Sequence, residues 1–497
     1  MRQILILLAT TLFTSSLLAQ TIVPVAPGNG TLNEAIENYI DANNGVDDSV
    51  IFQLEDGGIY VLTATLDFDF DLNIQAAPDY EVRPAILPTV AGGGETFRPF
   101  RVRENITLKG LYVTTEDALG GQSDQIVRIS RDGARVTIDD CHFDKATQSA
   151  FRIDNSDNKI YMTNSIISNI TNLQNPSNGR GFDDRGQDID TLWVENSTIY
   201  NLTARILRDD GGTINYLLWN QNTSVNTGDR TLDIGEGLDV TVTNNLFINP
   251  AFRGDDDADA TAFQIDESDE EQNVIISHNN FYRDSALLEL YAELSVDADE
   301  GDSLYARNFI NGTAQNFIDM AGLDSTIYNQ EIDFINAPAT PVDYVRAFYD
   351  DPTTAPPLDD GNGGVGPERT EQLPFDFCYS VANPMASAGT EGQVLGDPNF
   401  DSCLMSSARR ITNMLDFAAY PNPFTSSLTV ELDVERTARV DFVVSNVLGQ
   451  VVHQYSTDAI IGANRFDLQM RDLENGYYYL TIRTEDTLST KKILKVE

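Results

Sequence analysis

Basic residues are scarce in this chain: 32 Lys and Arg stand against 77 Asp and Glu, a formal net charge of -45. That balance favours solubility and excludes nucleic acid and anionic membrane surfaces as default partners. Histidine is nearly absent, and His142, His278 and His453 leave little imidazole for catalysis or metal ligation. There are three cysteines. They have neither the number nor the spacing of a zinc site. Cys141 occupies an apolar slot and reads as a buried small hydrophobe, while Cys378 and Cys403 are a candidate disulfide for an oxidising compartment. After residue 19 there is no apolar run long enough for a membrane span. Helical periodicity is missing from the long middle of the chain.

Two alternating strand patterns fill that middle. One ends in a polar turn residue followed by an apolar pair, as in VTIDDCHF (136–143), IYMTNSII (160–167) and VTVTNNLFI (240–248). The other lies between, as in FRPFRVREN (97–105), QIVRISRDG (125–133) and AFRIDNSD (150–157). Anchored on Gly110, Asp140, Asn164, Asn196, Asn222, Asn244 and Asn279, the steps are 30, 24, 32, 26, 22 and 35 residues. A β-type repeat of that length predicts a solenoid. The polar column of Asn164, Asn196, Asn222, Asn244 and Asn279 is expected to be structural. Asn tolerates left-handed backbone, and its amide can bond the next rung.

The remaining segments frame this body. Residues 1–19 read as a secretory signal peptide. Residues 20–97 read as an N-terminal cap and first strands, with a helix at 31–41 capped by Thr31 and Glu34. The parallel β-helix spans 98–340, interrupted by long loops at 173–190 and 249–263. A linker and C-terminal cap region is assigned to 341–413, with 371–410 expected over the end of the solenoid. Residues 414–497 alternate cleanly and predict a small β-sandwich, with 438–455 as one strand. The fold class is all-β.

Three features carry candidate chemistry. In FRV, VRI and FRI the flanking apolar residues point inward, so Arg101, Arg128 and Arg152 point outward on one face, with Arg208 continuing the row. Thirteen arginines fall between residues 83 and 230. Guanidinium groups suit carboxylate and sulfate, so the row is a candidate site for uronate-containing or sulfated polysaccharide. Nearby acids, Asp154 and Asp183 among them, could answer the row instead. The acidic stretch Asp255, Asp256, Asp257 and Asp259 is a candidate calcium site without EF-hand spacing. A glycoside hydrolase would need two opposed carboxylates, for which Asp183, Asp184, Asp188 and Asp190 are available. A lyase would need a base of depressed pKa, such as an arginine, Lys109 or Lys145. Trp193, Trp219, Phe182 and Phe252 are candidate sugar-stacking rings, though the two tryptophans lie in strands and could be core.

Two resemblances follow. PNPF (421–424), NVLGQVV (446–452), LENGYYYLTI (473–482) and the terminal KKILKV resemble, in order and spacing, the type A C-terminal sorting domain of the type IX secretion system of Bacteroidetes. That implies type IX machinery as a partner and secretion or outer-membrane cell-surface attachment. Residues 31–320 resemble the pectin-lyase-like right-handed parallel β-helix superfamily. The Arg-bearing strands are similar to polysaccharide lyases of the chondroitinase B and alginate lyase kind, which use Lys and Arg beside calcium. Lys109, Lys145 and Lys159 match none of their motif positions. The functional expectation is therefore an extracellular binder of acidic polysaccharide. The alternatives are a uronate lyase working by β-elimination, with no catalytic set matched, and a non-enzymatic adhesion or matrix protein.

Overall fold

Alternation along an extended backbone sends every second side chain inward, and one strand cannot bury that row alone. In the computed structural model the repeats solve this by stacking. The structure describes residues 21–43, 50–90, 96–295, 303–361, 373–400, 417–434, 438–446, 451–459, 462–471, 473, 475–483 and 488–496. The signal-peptide reading of 1–19 lies outside these. Residues 1–405 and 406–497 form two compact units.

The first unit is a coil of three parallel sheets with ten, eleven and nine strands, called here A, B and C. Each rung runs A, B, C, as in Arg135–Asp139, His142–Ala146 and Ser149–Ile153. The interior is a continuous apolar column. Phe143, Phe151, Phe182 and Trp219 are fully buried and follow one another at 5.1, 5.0 and 6.3 Å between ring centroids. Burying each such side chain contributes about 1.5–3 kcal/mol.

The corner between sheets A and B fixes the register. Gly110, Asp140, Asn164, Asn196, Gln221, Asn244 and His278 all have positive φ there. The expected Asn ladder therefore divides into two neighbouring columns. Asn164, Asn196 and Asn244 sit in the left-handed column; Asn222 and Asn279 lie one residue later, inside the coil. In that interior column Asn222 donates its backbone N–H to Asn245 Oδ1 at 2.8 Å, and Asn245 donates its own to Asn279 Oδ1 at 3.1 Å. Ser165 and Ser197 hold the same position in earlier rungs. A third column, not anticipated, follows sheet B: Asn201, Asn226 and Asn249 each donate a side-chain N–H to the Asn one rung before, at 3.0–3.3 Å.

Both ends of the coil are closed. Helix Thr31–Asn43 buries Leu32 and Ile36 against the first rungs. The Thr31 hydroxyl donates to the Gly28 carbonyl at 3.4 Å instead of capping the helix. At the far end, helix Gly312–Ala321 buries Ala314 and Ile318 in the same core, with Asn311 accepting from the Ala314 N–H. The far end is thus plugged before residue 341. Helix Val342–Asp350 packs beside Ser285–Leu294 through Tyr344, Leu287 and Leu290. Described residues between 332 and 400, other than that helix, lie over the outer face of sheet B, where they cover Ile166, Tyr200, Val225, Leu246 and Ile248 with Phe375, Phe377 and Leu395. They are stitched down by polar contacts, such as Thr198 Oγ1 donating to Asp397 at 2.8 Å and Asn226 Nδ2 donating to the Ala339 carbonyl at 3.0 Å. The reason is local: strands such as Thr198–Leu202 bury both faces, so sheet B needs a cover on its outside. Cys378 in this cover is disulfide-bonded, Cys141 is free and buried, and Cys403 lies outside the described residues.

The second unit is a pair of antiparallel sheets with three and four strands, around Leu428, Val430, Phe442, Leu480 and Ile482. The run 438–455 is two strands, Ala438–Asn446 and Val451–Ala459, paired antiparallel.

The interior ladder predicts an uneven response to truncation. Asn245→Ala strands the buried Asn222 N–H and the Trp219 carbonyl, at about 1–3 kcal/mol for each unsatisfied group. Exposed Asn215→Ala is expected to stay within about 0.5 kcal/mol of the parent. Denaturant midpoints of the two variants check this.

Candidate functional site

The FRV, VRI and FRI strands are in register, so Arg101, Arg128 and Arg152 stand opposite one another on successive rungs of sheet C. Their side chains are 22–34% exposed and share the outer face. The same column starts with Asp67 and continues through Asp183, Arg208, Asp233 and Gln264. Arg208 thus belongs to the row, with Asp183 between it and Arg152.

Charge is distributed unevenly along this column. In the later rungs each guanidinium meets a carboxylate. Asp183 lies between Arg180 at 2.8 Å and Arg208 at 3.0 Å. Asp229 takes Arg205 at 3.2 Å and Arg307 at 2.7 Å. Asp233 takes Arg205 and Arg230. In the early rungs Arg101, Arg128 and Arg152 draw on two aspartates, Asp67 and Asp154. Asp154 is shared by Arg128 and Arg152; burial pushes its pKa up, but the two guanidiniums outweigh that and hold it below the usual carboxylate range. Asp67 is bound by Arg103 and lies 3.7 Å from Arg101.

Arg98 completes the group. Among the described residues its guanidinium has neither ion pair nor hydrogen bond, and its Nε is buried without a partner. Burial lowers its pKa first, followed by the charge of Arg128 and, more weakly, of Arg101 and Arg152; Asp124 opposes them. Sequence reasoning missed Arg98 because FRPF precedes its strand, where alternation no longer tells which way a side chain points. Arg205 and Arg230 also precede their strands, and Arg180 begins a strand in a stretch that reads as a loop.

Other candidates are placed elsewhere. Asp255 is bound to Arg307, and the backbone N–H groups of Asp257 and Asp259 donate to Asp255 and Asp257 carboxylates at 3.0 and 2.9 Å. The stretch 255–259 folds back on its own backbone, and no group of three His, Cys, Asp or Glu among the described residues could hold a metal ion. The loop 173–190 contains a strand, Arg180–Asp183. Lys109 and Lys145 are held 2.8 Å from Asp139 and Glu116. The Asp139 hydrogen bond raises Lys109; burial opposes the charged form of Lys145, but Asp144 and Glu116 more than offset it. Neither lysine has the depressed pKa that a base requires. Trp219, Phe182 and Phe252 are core, whereas Trp193 is partly exposed on sheet A.

The four acids of 183–190 do not oppose each other across a groove. Asp183 is in the Arg column, Asp190 pairs with Lys159 at 3.1 Å, and Asp188 accepts the Thr213 N–H at 2.9 Å. Asp184 is buried, with Oδ1 accepting from the Gly186 and Asp210 N–H groups. Its Oδ2 is buried without a hydrogen-bond partner among the described residues, and the neighbouring Asp209 already accepts four backbone N–H groups. Burial, then the neighbouring Asp209 charge, push Asp184 up to about 8. The folded chain thus keeps a proton that an unfolded carboxylate loses near pH ~4. Stability from this pair should fall as pH rises from about 4 to about 8. Asp184→Asn supplies a permanent donor toward Asp209. It is expected to flatten that fall and to exceed the parent's denaturant midpoint at pH ~8 more than at pH ~4.

Comparison with known proteins agrees with this architecture. A right-handed β-helix region model matches residues 125–308, and a secretion system C-terminal sorting domain model matches residues 418–496. A solved structure of a mutant of AlyGC, a PL6-family alginate lyase, is similar over 58% of this chain and 39% of that chain, at 18% identity and a TM-score of 0.36. This chain therefore spans about two fifths of that enzyme's length. No curated protein matches the chain. Among the described residues no helix is long and apolar enough to cross a membrane. The chain is a right-handed parallel β-helix protein with a C-terminal sorting domain, the organisation typical of Bacteroidetes cargo that the type IX secretion system delivers to the cell surface.

Proposed function

We propose that this surface protein binds acidic polysaccharide outside the cell through the early rungs of sheet C. The observation that carries this reading is Arg98. Its unpaired guanidinium stands beside Arg101, Arg128 and Arg152, two of which share a single aspartate. Stacked like charges repel. Carboxylates relieve that repulsion for Arg101, Arg128 and Arg152, as they do in the later rungs, but among the described residues none pairs with Arg98. A uronate carboxylate or a sulfate would answer the excess, because the planar guanidinium offers two parallel donors to such groups. Surface ion pairs alone contribute little, so stability does not explain a cluster left short of acid. The lyase alternative has less support, since the candidate lysines are ion-paired and raised. Nothing on the coil specifically favours a purely structural spacer.

The test is binding of polygalacturonate and heparin fragments to the full chain, by calorimetry at low salt. Arg98→Ala removes a charged donor group worth about 1.5–3 kcal/mol to a bound anion, so affinity should fall by about tenfold or more. Arg208→Ala, whose guanidinium is committed to Asp183 and Asp210, should bind nearly as well as the parent. Equal affinity for the parent and Arg98→Ala would sink the proposal. Appearance of an unsaturated, ultraviolet-absorbing product during the titration would move the reading to the lyase.

A further inference from the structure

Sheet A presents a different surface. Its outward positions form rows across the rungs, because the strands pair residue for residue. One row is Thr137, Tyr161, Trp193, Leu218, Thr241 and Ile275. The row beside it carries Arg135, Lys159, Thr191, Tyr216 and Asp239. Tyr161, Trp193 and Tyr216 lie on three successive rungs and are all partly exposed. Their rings follow one another at 6.5 and 6.2 Å, tilted by only 39° and 35°. Arg135 begins the file: its guanidinium carbon lies 4.3 Å from the Tyr161 ring centroid. It is exposed and forms no ion pair among the described residues.

We propose that this aromatic file is a second glycan-docking surface, on which sugar rings of an acidic chain lie against Tyr161, Trp193 and Tyr216 while Arg135 takes a carboxylate or sulfate. The inference rests on the reading above for the class of partner only, and its residues are separate. Three observations choose a sugar chain as the occupant. The surface is narrow: on one side of Tyr161 and Trp193 stand Thr163 and Glu195, and on the other Lys159 and Thr191. A protein partner needs a desolvated apolar centre, which a strip this thin does not supply. The three rings make one apolar strip across successive rungs, tilted from one another by 39° and 35°, a surface for the apolar face of a pyranose. Hydrogen-bonding groups border them. Glu195, for example, accepts from Trp193 Nε1 at 3.2 Å and from Asn220 Nδ2 at 2.7 Å, which fixes the indole's orientation. Arg135 supplies positive charge at the Tyr161 end of the strip, stacked on that ring, while Glu195 and Asp239 stand at the Trp193 and Tyr216 end, so an acidic chain would place its anion at Arg135.

The chain has only two tryptophans, and Trp219 is fully buried in the coil. Intrinsic emission that responds to ligand therefore reports on Trp193. Polygalacturonate and heparin fragments, titrated into the full chain, should produce a saturable emission change in the parent and in Arg128→Ala/Arg152→Ala. The change should be missing in Trp193→Phe, which retains a ring between Tyr161 and Tyr216. Trp193→Ala should weaken calorimetric binding by about tenfold, the scale of an aromatic anchor, with far-ultraviolet circular dichroism like the parent's. Binding with silent emission and undiminished affinity in Trp193→Ala overturns this inference and leaves the arginine site standing. Loss on Trp193→Ala with no loss on Arg98→Ala supports this surface and removes the other. Failure of both fragments to bind overturns both.

Discussion

The corner where sheet A turns into sheet B sets the rest of the molecule. From Ile106–Lys109 onward one residue in left-handed backbone ends each strand of A, and from Ser165 onward the next residue points inward and bonds the neighbouring rung. A slip of one residue there would exchange the inner and outer faces of the following strand. The interior ladder resists this because every amide in it serves two rungs. Breaking one bond leaves a buried donor or acceptor with no water to replace its partner. Register is thus held by polar groups at the corner, while burial of the phenylalanine column supplies the larger driving force.

Once register is fixed, residues one rung apart become lateral neighbours, and a modest sequence feature becomes a surface with one character. Arg101, Arg128 and Arg152 are ordinary singly; in register they form a cationic row. Tyr161 and Trp193 pair in the same way, and Tyr216 joins their file of rings from the adjacent row. Sheet C shows that the chain can neutralise such a row, because it does so from Asp183 onward with an alternation of Arg and Asp. The early rungs lack that alternation. An excess of guanidinium in a chain of net charge -45 is a local choice of composition, against the protein's overall field.

Legibility in the sequence follows the range of the interaction. Period-two alternation and turn chemistry are local, so the coil, the outward arginines and the sorting unit could be read directly. The ladder was misread at Gln221–Asn222 and His278–Asn279, where two adjacent polar residues each suit the corner and only the structure shows which is left-handed. Asn201, Asn226 and Asn249 sit amid residues that read as strand interior, and nothing local marks them as a column. The cover of sheet B is the least legible part, because Thr198–Asp397 and Asn226–Ala339 join residues far apart in sequence. A cover of irregular chain has no period to detect.

That cover also decides where function can sit. A three-sided coil offers three outer faces. Sheet B gives up its own to described residues between 332 and 400, which fill it with Phe375, Phe377 and Leu395 and bond its asparagines. Sheets A and C keep outer faces with partly exposed side chains in ordered rows. Of these, C carries the unpaired Arg98 beside three paired arginines, and A carries a file of three rings headed by Arg135. On the reading proposed above, the two surfaces would supply complementary halves of what holds an acidic sugar: charge for its anions and apolar area for its rings. Because both are laid out rung by rung along the same axis, each would meet a polymer along its length. A ligand with a repeat therefore fits this scaffold better than a compact small molecule, which could engage only one or two rungs.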